Sequence, residues 1–283
     1  MITKVGIVGS GIMGSGIAEV AAKAGFEVVL RSRRQETADA MVAALEKSLA
    51  KQVDKGRLEA SARDEVLARV TATERLSDLA GCNLVIESVV EDLAVKKHLF
   101  NELDSILGDD AIIATNTSTL PVVEMAVETG RADKVCGVHF FNPAPAMSLV
   151  EIVRPLTASD ETITAVRDFA SKCGKDPVEV QDRAGFIVNA LLFPYLNNAV
   201  RMMENGTASR EDIDSAMKGG CNFPMGPLAL LDLVGLDTSL AILDALYDEF
   251  RDPNYAAVPL LRRMVAAGQL GRKSGKGFYD YSR

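Results

Sequence analysis

The sequence predicts an α/β protein with a doubly wound, mostly parallel β-sheet and a second, all-helical domain. Over about the first 180 residues, short apolar runs alternate with longer segments of helical periodicity. Strands separated by helices in this way are typical of parallel βαβ units. From Phe186 onward the strand-like alternation nearly disappears and helical periodicity dominates. We therefore predict a first domain over residues 1–184 and a second domain over residues 185–283.

The predicted strands are short and apolar, as expected of strands that are buried on both faces of a sheet. They are Val5–Val8, Glu27–Leu30, Leu84–Ile86, Ala111–Ala114 and Val135–Val138, with Leu149–Val153 and Pro177–Val180 extending the sheet. The periodicity predicts first-domain helices near Ile12–Ala24, Gln35–Val53 and Leu93–Leu107. In the second domain it predicts helices near Ile187–Met203, Arg210–Met217, Leu236–Phe250 and Val258–Ala267.

Composition narrows the class of protein. A chain of 283 residues is long enough for two domains, and its net charge of −8 argues against nucleic acid and anionic membranes as partners. No run approaches the roughly 20 apolar residues of a membrane span, and the strand pattern begins at Val5, so we expect no signal peptide. Cys82, Cys136, Cys173 and Cys221 are widely spaced, which is typical of reduced thiols. We therefore expect a cytoplasmic protein without a metal site.

A glycine-rich motif lies between the first predicted strand and the first predicted helix. It reads Gly9-Ser10-Gly11-Ile12-Met13-Gly14 and fits the spacing G-x-G-x-x-G. In this spacing the first glycine makes a tight turn, the second lets the backbone approach a pyrophosphate, and the third lets helix and strand pack closely. The alternative is a glycine turn that binds no ligand. The position of the motif favours a dinucleotide site, and hence a Rossmann-like fold.

The end of the second predicted strand bears on the choice of cofactor. A site that selects NAD carries Asp or Glu about 20 residues after the motif, where the carboxylate bonds the ribose 2′-hydroxyl. Here the chain reads Arg31-Ser32-Arg33-Arg34. Ser32 does not repel a 2′-phosphate, and Arg33 and Arg34 are able to clamp one. We predict a preference for NADP(H), with NAD(H) as the alternative cofactor; a solvated basic turn is the alternative interpretation of the arginines.

Of the two histidines, His139 is the candidate for catalysis. It follows the predicted strand Val135–Val138, and ligands of open α/β sheets bind at the carboxyl ends of strands. Ser118 follows another strand, Glu151 lies on the next apolar segment, and Asn189 opens the first helix of the second domain. The pattern suits an imidazole that acts as a general base and is braced by a carboxylate. A buried structural histidine is the alternative, whereas His98 falls on an amphipathic helix.

Several motifs together resemble one family. They include the glycine motif with its strand, Val85-Ile86-Glu87, Glu91-Asp92, Ala114-Thr115-Asn116-Thr117-Ser118, Val138-His139-Phe140-Phe141-Asn142-Pro143, Gly185-Phe186-Ile187-Val188-Asn189, Met225-Gly226-Pro227 and Gly271–Tyr279. Over nearly its whole length the chain resembles the 3-hydroxyacyl-CoA dehydrogenases, in particular the short bacterial members that act on 3-hydroxybutyryl-CoA. The resemblance implies hydride transfer between a nicotinamide cofactor and C3 of a 3-hydroxyacyl-CoA or 3-oxoacyl-CoA.

The resemblance also implies roles for individual residues. His139 is expected to act as the catalytic base with Glu151, while Ser118 and Asn189 bind the C3 oxygen and position the substrate. Glu91, Lys96 and Asn142 match positions near the cofactor ribose and nicotinamide. Ser32 departs from the usual family Asp, which supports the NADP(H) prediction.

A basic stripe is predicted on the long helix after the second strand. Lys47, Lys51 and Lys55 recur every four residues and so share one helix face, with Ser48 beside them. Such a row of cations on an acidic protein is suited to the phosphates of CoA, and the resemblance places substrate contacts here. A solvated helix face with Glu46 nearby is the alternative.

Two other functions remain open from the sequence. A β-hydroxyacid dehydrogenase acting on free acids shares the two-domain plan but usually relies on a catalytic lysine. A non-catalytic, crystallin-like binding protein is the other alternative. The apolar content of the second domain exceeds what about 100 residues usually bury alone, so we expect a homodimer.

Overall fold

A computed structural model describes residues 1–282 of the chain. It divides the chain into two compact units, Met1–Asp182 and the remainder from Arg183 onward. The first unit is an α/β sheet structure and the second is built from helices. The predicted fold class, a mostly parallel doubly wound sheet with a second helical part, is confirmed.

The first unit contains one sheet of eight strands. Their order is β3-β2-β1-β4-β5-β6-β7-β8. The strands are β1 (Lys4–Val8), β2 (Glu27–Arg31), β3 (Val70–Thr73), β4 (Leu84–Glu87), β5 (Ile112–Thr115), β6 (Val135–Phe140), β7 (Leu149–Arg154) and β8 (Asp176–Gln181). Neighbouring strands are parallel except for β6 and β7, which pair antiparallel.

Six helices accompany this sheet along the chain. They are α1 (Ile12–Lys23), α2 (Gln35–Asp54), α3 (Ala60–Ala68), α4 (Leu93–Ile106), α5 (Val122–Ala126) and α6 (Asp160–Lys172). Residues of α1, α2 and α6 join apolar side chains of the central strands in one continuous core. Strands β1, β4, β5 and β6 are buried almost throughout, which explains why they read as uninterrupted apolar runs.

The second unit is a helical bundle with its own core. Its helices are α7 (Val188–Glu204), α8 (Arg210–Cys221), α9 (Pro227–Val234), α10 (Leu236–Phe250) and α11 (Pro259–Ala266). Ser209 caps α8 by accepting a hydrogen bond from the Asp212 N–H. The buried carboxylate of Asp232 accepts the N–H groups of Phe278 and Tyr279 and so ties the C-terminal segment to α9.

Several elements differ from the sequence-based expectation. Strand β3 and helices α3, α5, α6 and α9 were not predicted, and other element boundaries shift by one to a few residues. Strand β3 is short and half exposed at the edge of the sheet, so its alternation is weak. Within the described part of the chain, no helix combines the length and apolar character needed to cross a membrane.

Candidate active site

The loop between β1 and α1 has the shape of a phosphate-binding turn. Gly9 has a φ of +132°, and a Cβ at this position would collide with the carbonyl oxygen of Ser88. A Cβ at Gly14 would collide with the carbonyl oxygen of Gly9. Among residues 1–282, nothing lies within 4 Å of the place that a Cβ on Gly11 would take. A pyrophosphate therefore has room to approach the backbone here, at the N–H groups that open α1.

A cavity of about 590 Å³ continues from this loop. Its walls are the glycine loop, the end of β2, the segment after β4, and one face of α4. The lining residues are Gly9, Ser10, Gly11, Arg31, Ser32, Arg33, Ser88, Val89, Val90, Val95, His98, Leu99 and Glu102. Of the predicted motif, Ile12, Met13 and Gly14 fall outside this lining: Ile12 is exposed, Met13 is half-buried and Gly14 is buried. The volume and the apolar contribution of α4 suit the adenosine half of a dinucleotide.

The basic segment after β2 is only partly arranged as predicted. Ser32 is buried and lines the cavity together with Arg33, but Arg34 is exposed at the N-cap of α2, outside the lining. Arg31, which sequence reasoning did not select, lines the cavity instead. Burial lowers the pKa of Arg31, the Glu102 carboxylate opposes this shift, and the Arg33 charge adds to it. Two guanidinium groups therefore crowd positive charge at this end of the cavity.

His139 and Glu151 face each other across the antiparallel pair of strands. They are directly opposite in the register of β6 and β7, so their side chains lie on the same face of the sheet. His139 Nδ1 is 2.7 Å from Glu151 Oε2, and both side chains are buried. On the other side of the ring, His139 Nε2 is 3.1 Å from Ser118 Oγ. The Phe141 ring packs against the imidazole, with 4.5 Å between ring centroids.

These contacts constrain how the imidazole can work. With Nδ1–H donating to the buried Glu151 carboxylate, Nε2 is the ring atom left to exchange a proton with a group near Ser118. A carboxylate in the position of Glu151 can fix the tautomer and can stabilise the positive charge of an imidazolium. The sequence predicts Ser118, His139 and Glu151 as catalytic residues, and the structure brings these three side chains together.

The loop after β5 is held by side chains on two sides. Asn116 Oδ1 accepts the Phe140 N–H at 2.8 Å, which ties this loop to the end of β6. Glu91 Oε1 accepts the Ser118 N–H at 2.9 Å and the Thr117 hydroxyl at 2.5 Å. Glu91 was predicted to lie near the cofactor ribose, and it stands directly beside the candidate catalytic serine.

Lys96 is placed differently from a simple cofactor contact. Its side chain is 1% exposed, and Nζ lies 2.7 Å and 2.9 Å from the two carboxylate oxygens of Glu87. Nζ is also 3.3 Å from Glu91 Oε2. The ammonium group thus lies between two carboxylates, and Glu91 links Lys96 to the loop after β5 that carries Ser118.

The loop from Phe141 to Ser148 carries Asn142, which is exposed. The buried Lys175 secures this loop, because its Nζ donates to the carbonyl oxygens of Ala144 and Met147, each at 2.7 Å. Burial lowers the pKa of Lys175. Asn189 lies in the second unit, as the second residue of α7.

The predicted basic stripe runs along α2 to its C-terminal end: Lys47 and Lys51 lie in the helix, and Lys55 is its C-cap residue. Lys51 and Lys55 are exposed, as is Lys47, and none of the three forms an ion pair with a carboxylate within residues 1–282. The Ser48 hydroxyl is half-buried and donates to Glu19 Oε2 at 3.1 Å. The three cations are thus available to a ligand, whereas Ser48 already contacts a carboxylate.

Other residues of this region were missed by sequence reasoning. His98, Leu99 and Glu102 line the cavity, and Glu87 is fully buried beneath Lys96. The three α4 residues lie on one helix face, a spacing that could have pointed to them. The burial of Glu87 is set by the sheet order and has no local signal. In the described residues, no cluster of side chains is arranged to hold a metal ion.

A glycine loop suited to a dinucleotide and a serine–histidine–glutamate set, with Ser118 and His139 at the carboxyl ends of β5 and β6, are typical of a nucleotide-dependent dehydrogenase. Comparison with known proteins agrees. Residues 4–183 match the family described as "3-hydroxyacyl-CoA dehydrogenase, NAD binding domain", and residues 185–281 match "3-hydroxyacyl-CoA dehydrogenase, C-terminal domain". The chain belongs to the 3-hydroxyacyl-CoA dehydrogenase family, whose members are oxidoreductases.

Individual relatives are similar over their full length. A 3-hydroxybutyryl-CoA dehydrogenase of Mycobacterium tuberculosis is 49% identical over 286 aligned positions, covering 99% of each chain. One of Clostridioides difficile is 48% identical, covering 99% of this chain and 100% of the relative. The crystal structure of (S)-3-hydroxybutyryl-CoA dehydrogenase from Ralstonia eutropha superposes with a TM-score of 0.98 at 43% identity, covering 100% of both chains.

Proposed function

We propose that this protein transfers a hydride between NADP(H) and C3 of a 3-hydroxyacyl-CoA or 3-oxoacyl-CoA, with 3-hydroxybutyryl-CoA and acetoacetyl-CoA as the pair of substrates. The observation that carries this proposal is the chain of contacts from Ser118 through His139 to Glu151, with 3.1 Å and 2.7 Å between the bonded atoms. The names of the similar dehydrogenases support the choice of a four-carbon CoA thioester.

Ser118, His139 and Glu151 together perform acid–base chemistry at the substrate oxygen. When the hydroxyacyl form is oxidised, His139 Nε2 takes the hydroxyl proton, and Glu151 stabilises the imidazolium that forms. A nicotinamide cofactor held in this site would supply the redox chemistry, as the acceptor of the hydride from C3. In the reverse direction His139 donates the proton to the oxygen. Ser118 Oγ donates a hydrogen bond to the same oxygen and offsets its developing negative charge; Asn189 is a second donor by resemblance.

The preference for NADP(H) rests on the residues at the end of β2. Ser32 stands where a carboxylate would bond the ribose hydroxyl, and Arg31 and Arg33 line the same cavity. A 2′-phosphate beside Arg33 gains charge-assisted hydrogen bonds that a plain hydroxyl does not. Glu91 and Asn142 are proposed to contact the ribose and the nicotinamide, with Lys96 acting through Glu91.

The acyl carrier is proposed to dock on the exposed cations of α2. Lys51 lies in the last turn of that helix, Lys55 is its C-cap residue, and neither forms an ion pair with a carboxylate in the described structure. Charge reversal of both lysines is expected to raise KM for the CoA thioester about tenfold or more, because CoA carries several phosphate charges. KM for a truncated thioester without the nucleotide is expected to stay within about twofold. Equal effects on both substrates would contradict docking on α2.

A dimer is proposed on the apolar surface of the second unit. Leu191, Met202, Phe223 and Leu233 have exposed fractions between 42% and 72% in the single chain. Large apolar side chains that are exposed in the single chain favour association. Light scattering coupled to size-exclusion chromatography is expected to give twice the chain mass, and a monomer at micromolar concentration would refute this proposal.

Steady-state kinetics test the proposed reaction directly. We expect acetoacetyl-CoA to be reduced with a much lower KM than free acetoacetate, and faster with NADPH than with NADH. Equal use of free acetoacetate would favour the dehydrogenase of free hydroxyacids instead. Cofactor binding without turnover of either substrate would favour a non-catalytic binding protein.

A further inference from the structure

Lys96 and Glu91 belong to an ion-pair network whose third member, the buried Glu87, has no role in the proposed reaction. Glu87 ends strand β4 and is 0% exposed. Its carboxylate contacts Lys96 Nζ, accepts the Thr115 hydroxyl at 2.7 Å, and accepts the Val89 N–H at 2.5 Å. Because four hydrogen bonds from three groups converge on it, this carboxylate has one fixed position.

Through Lys96 and Glu91 this fixed carboxylate is connected to the loop after β5 that carries Ser118. Lys96 Nζ is 2.7 Å from Glu87 and 3.3 Å from Glu91. The other oxygen of Glu91 accepts the Ser118 N–H at 2.9 Å. Ser118 Oγ then lies 3.1 Å from His139 Nε2. A continuous line of polar contacts thus runs from the end of β4 to the imidazole.

The three charged side chains in this line of contacts differ in burial, and the two buried ones hold the third in place. The Glu91 side chain is 41% exposed, whereas those of Lys96 and Glu87 are 1% and 0% exposed. A partly exposed glutamate is ordinarily mobile, because holding it in one rotamer costs side-chain entropy. Pairing with a cation that is itself immobile offsets this cost. Lys96 is immobile because Glu87 holds it with two hydrogen bonds.

We propose that Glu87 is a positioning residue for catalysis: through Lys96 it holds Glu91 in the place where Glu91 orients Ser118 and the ribose end of the cofactor site. The kinetic part of this inference rests on the proposed function, whereas the structural part does not. When Glu87 is neutral, Lys96 has only Glu91 as a charged partner and draws that carboxylate inward, away from the Ser118 N–H.

Hydrogen exchange at the Ser118 amide tests the proposal in the full chain. For Glu87→Gln we expect this amide to exchange at least about tenfold faster, since its acceptor is no longer held. Asp104→Asn is the matched control. Asp104 lies on the same helix, α4, and pairs with Arg131 at 2.6 Å, outside the site. We expect that variant to leave the Ser118 exchange rate within about twofold of wild type.

A double-mutant cycle separates positioning from a general loss of stability. If Glu87 acts through Glu91, adding Glu87→Gln to Glu91→Gln changes Ser118 exchange no further, so the two effects are not additive. Kinetically, Glu87→Gln is expected to lower kcat and raise KM for the cofactor about tenfold each, with KM for the CoA thioester within about twofold. If Glu87→Gln does not fold, Glu87→Gln/Lys96→Met removes both buried charges and is expected to show the same fast exchange.

The outcomes are distinct. Unchanged Ser118 exchange in a folded Glu87→Gln protein, or additive effects in the cycle, would overturn the positioning role. Fast exchange in Glu87→Gln together with no turnover of acetoacetyl-CoA by the wild-type protein would refute the proposed reaction and leave the positioning role standing.

Discussion

Replacement of Arg33 by alanine tests how the end of β2 selects the cofactor. A charge-assisted hydrogen bond contributes about 1.5–3 kcal/mol. Arg33 is exposed, so solvent screening favours the lower value, about 1.5 kcal/mol. That loss corresponds to roughly a tenfold fall in kcat/KM for NADPH. For NADH, which has no 2′-phosphate, we expect a change of less than about twofold.

Two companion substitutions make this test specific. Ser32→Asp places a carboxylate on the cavity wall, and repulsion of the phosphate is expected to lower kcat/KM for NADPH by about tenfold to a hundredfold. Arg34→Ala, outside the cavity lining, is expected to have a smaller effect than Arg33→Ala. Initial rates are followed by the absorbance of the reduced nicotinamide. A wild-type preference for NADH, or equal losses with both cofactors in Arg33→Ala, would refute the assignment of Arg33.

Two further predictions concern buried groups. Glu151→Gln keeps a hydrogen-bond acceptor for His139 but removes the charge that stabilises the imidazolium, so kcat is expected to fall about 10²–10⁴-fold. A fall in kcat of less than about threefold would contradict the role of Glu151 in stabilising the imidazolium. Burial raises the pKa of Cys82 to about 11 and that of Cys136 to about 12. Because the thiolate is the nucleophile, both thiols are expected to resist alkylation near neutral pH and to react faster as pH rises toward these values. Mass spectrometry is expected to find the exposed Cys221 labelled first, and rapid labelling of Cys136 in the folded protein would be inconsistent with this burial.

Much of the fold follows from patterns that are local in sequence. Strands β1, β4, β5 and β6 are buried almost throughout, so apolar runs in the sequence predict them. The glycine motif predicts the turn into α1, because a side chain at Gly9 or Gly14 would collide with the backbone. Strand β3 has no such signal, since Val70–Thr73 is short and half exposed at the sheet edge.

The candidate site was predictable as a set of residues but not as a geometry. His139 and Ser118 follow apolar runs, and this places both at one edge of a parallel sheet. Glu151 lies opposite His139 because β7 pairs antiparallel with β6. The register of such a pair depends on the geometry of the connecting loop.

The buried pair of Glu87 and Lys96 could not be foreseen from local sequence. Lysine and glutamate are rarely fully buried unless they are paired. Here Glu87 at the end of β4 pairs with Lys96 on α4, nine residues later in the chain. Helical periodicity indicates where Lys96 lies along α4. It does not indicate that the side chain of Lys96 contacts the carboxylate of Glu87.

The most direct test of the account is a single comparison between wild type and His139→Ala, in which turnover of acetoacetyl-CoA and binding of the reduced cofactor are both measured. We predict that kcat falls by about 10²–10⁴-fold or more, while the Kd for the cofactor, measured by its fluorescence, stays within about threefold. Near-normal turnover by the folded variant would contradict the claim that this imidazole, held by Glu151 and facing Ser118, moves the proton.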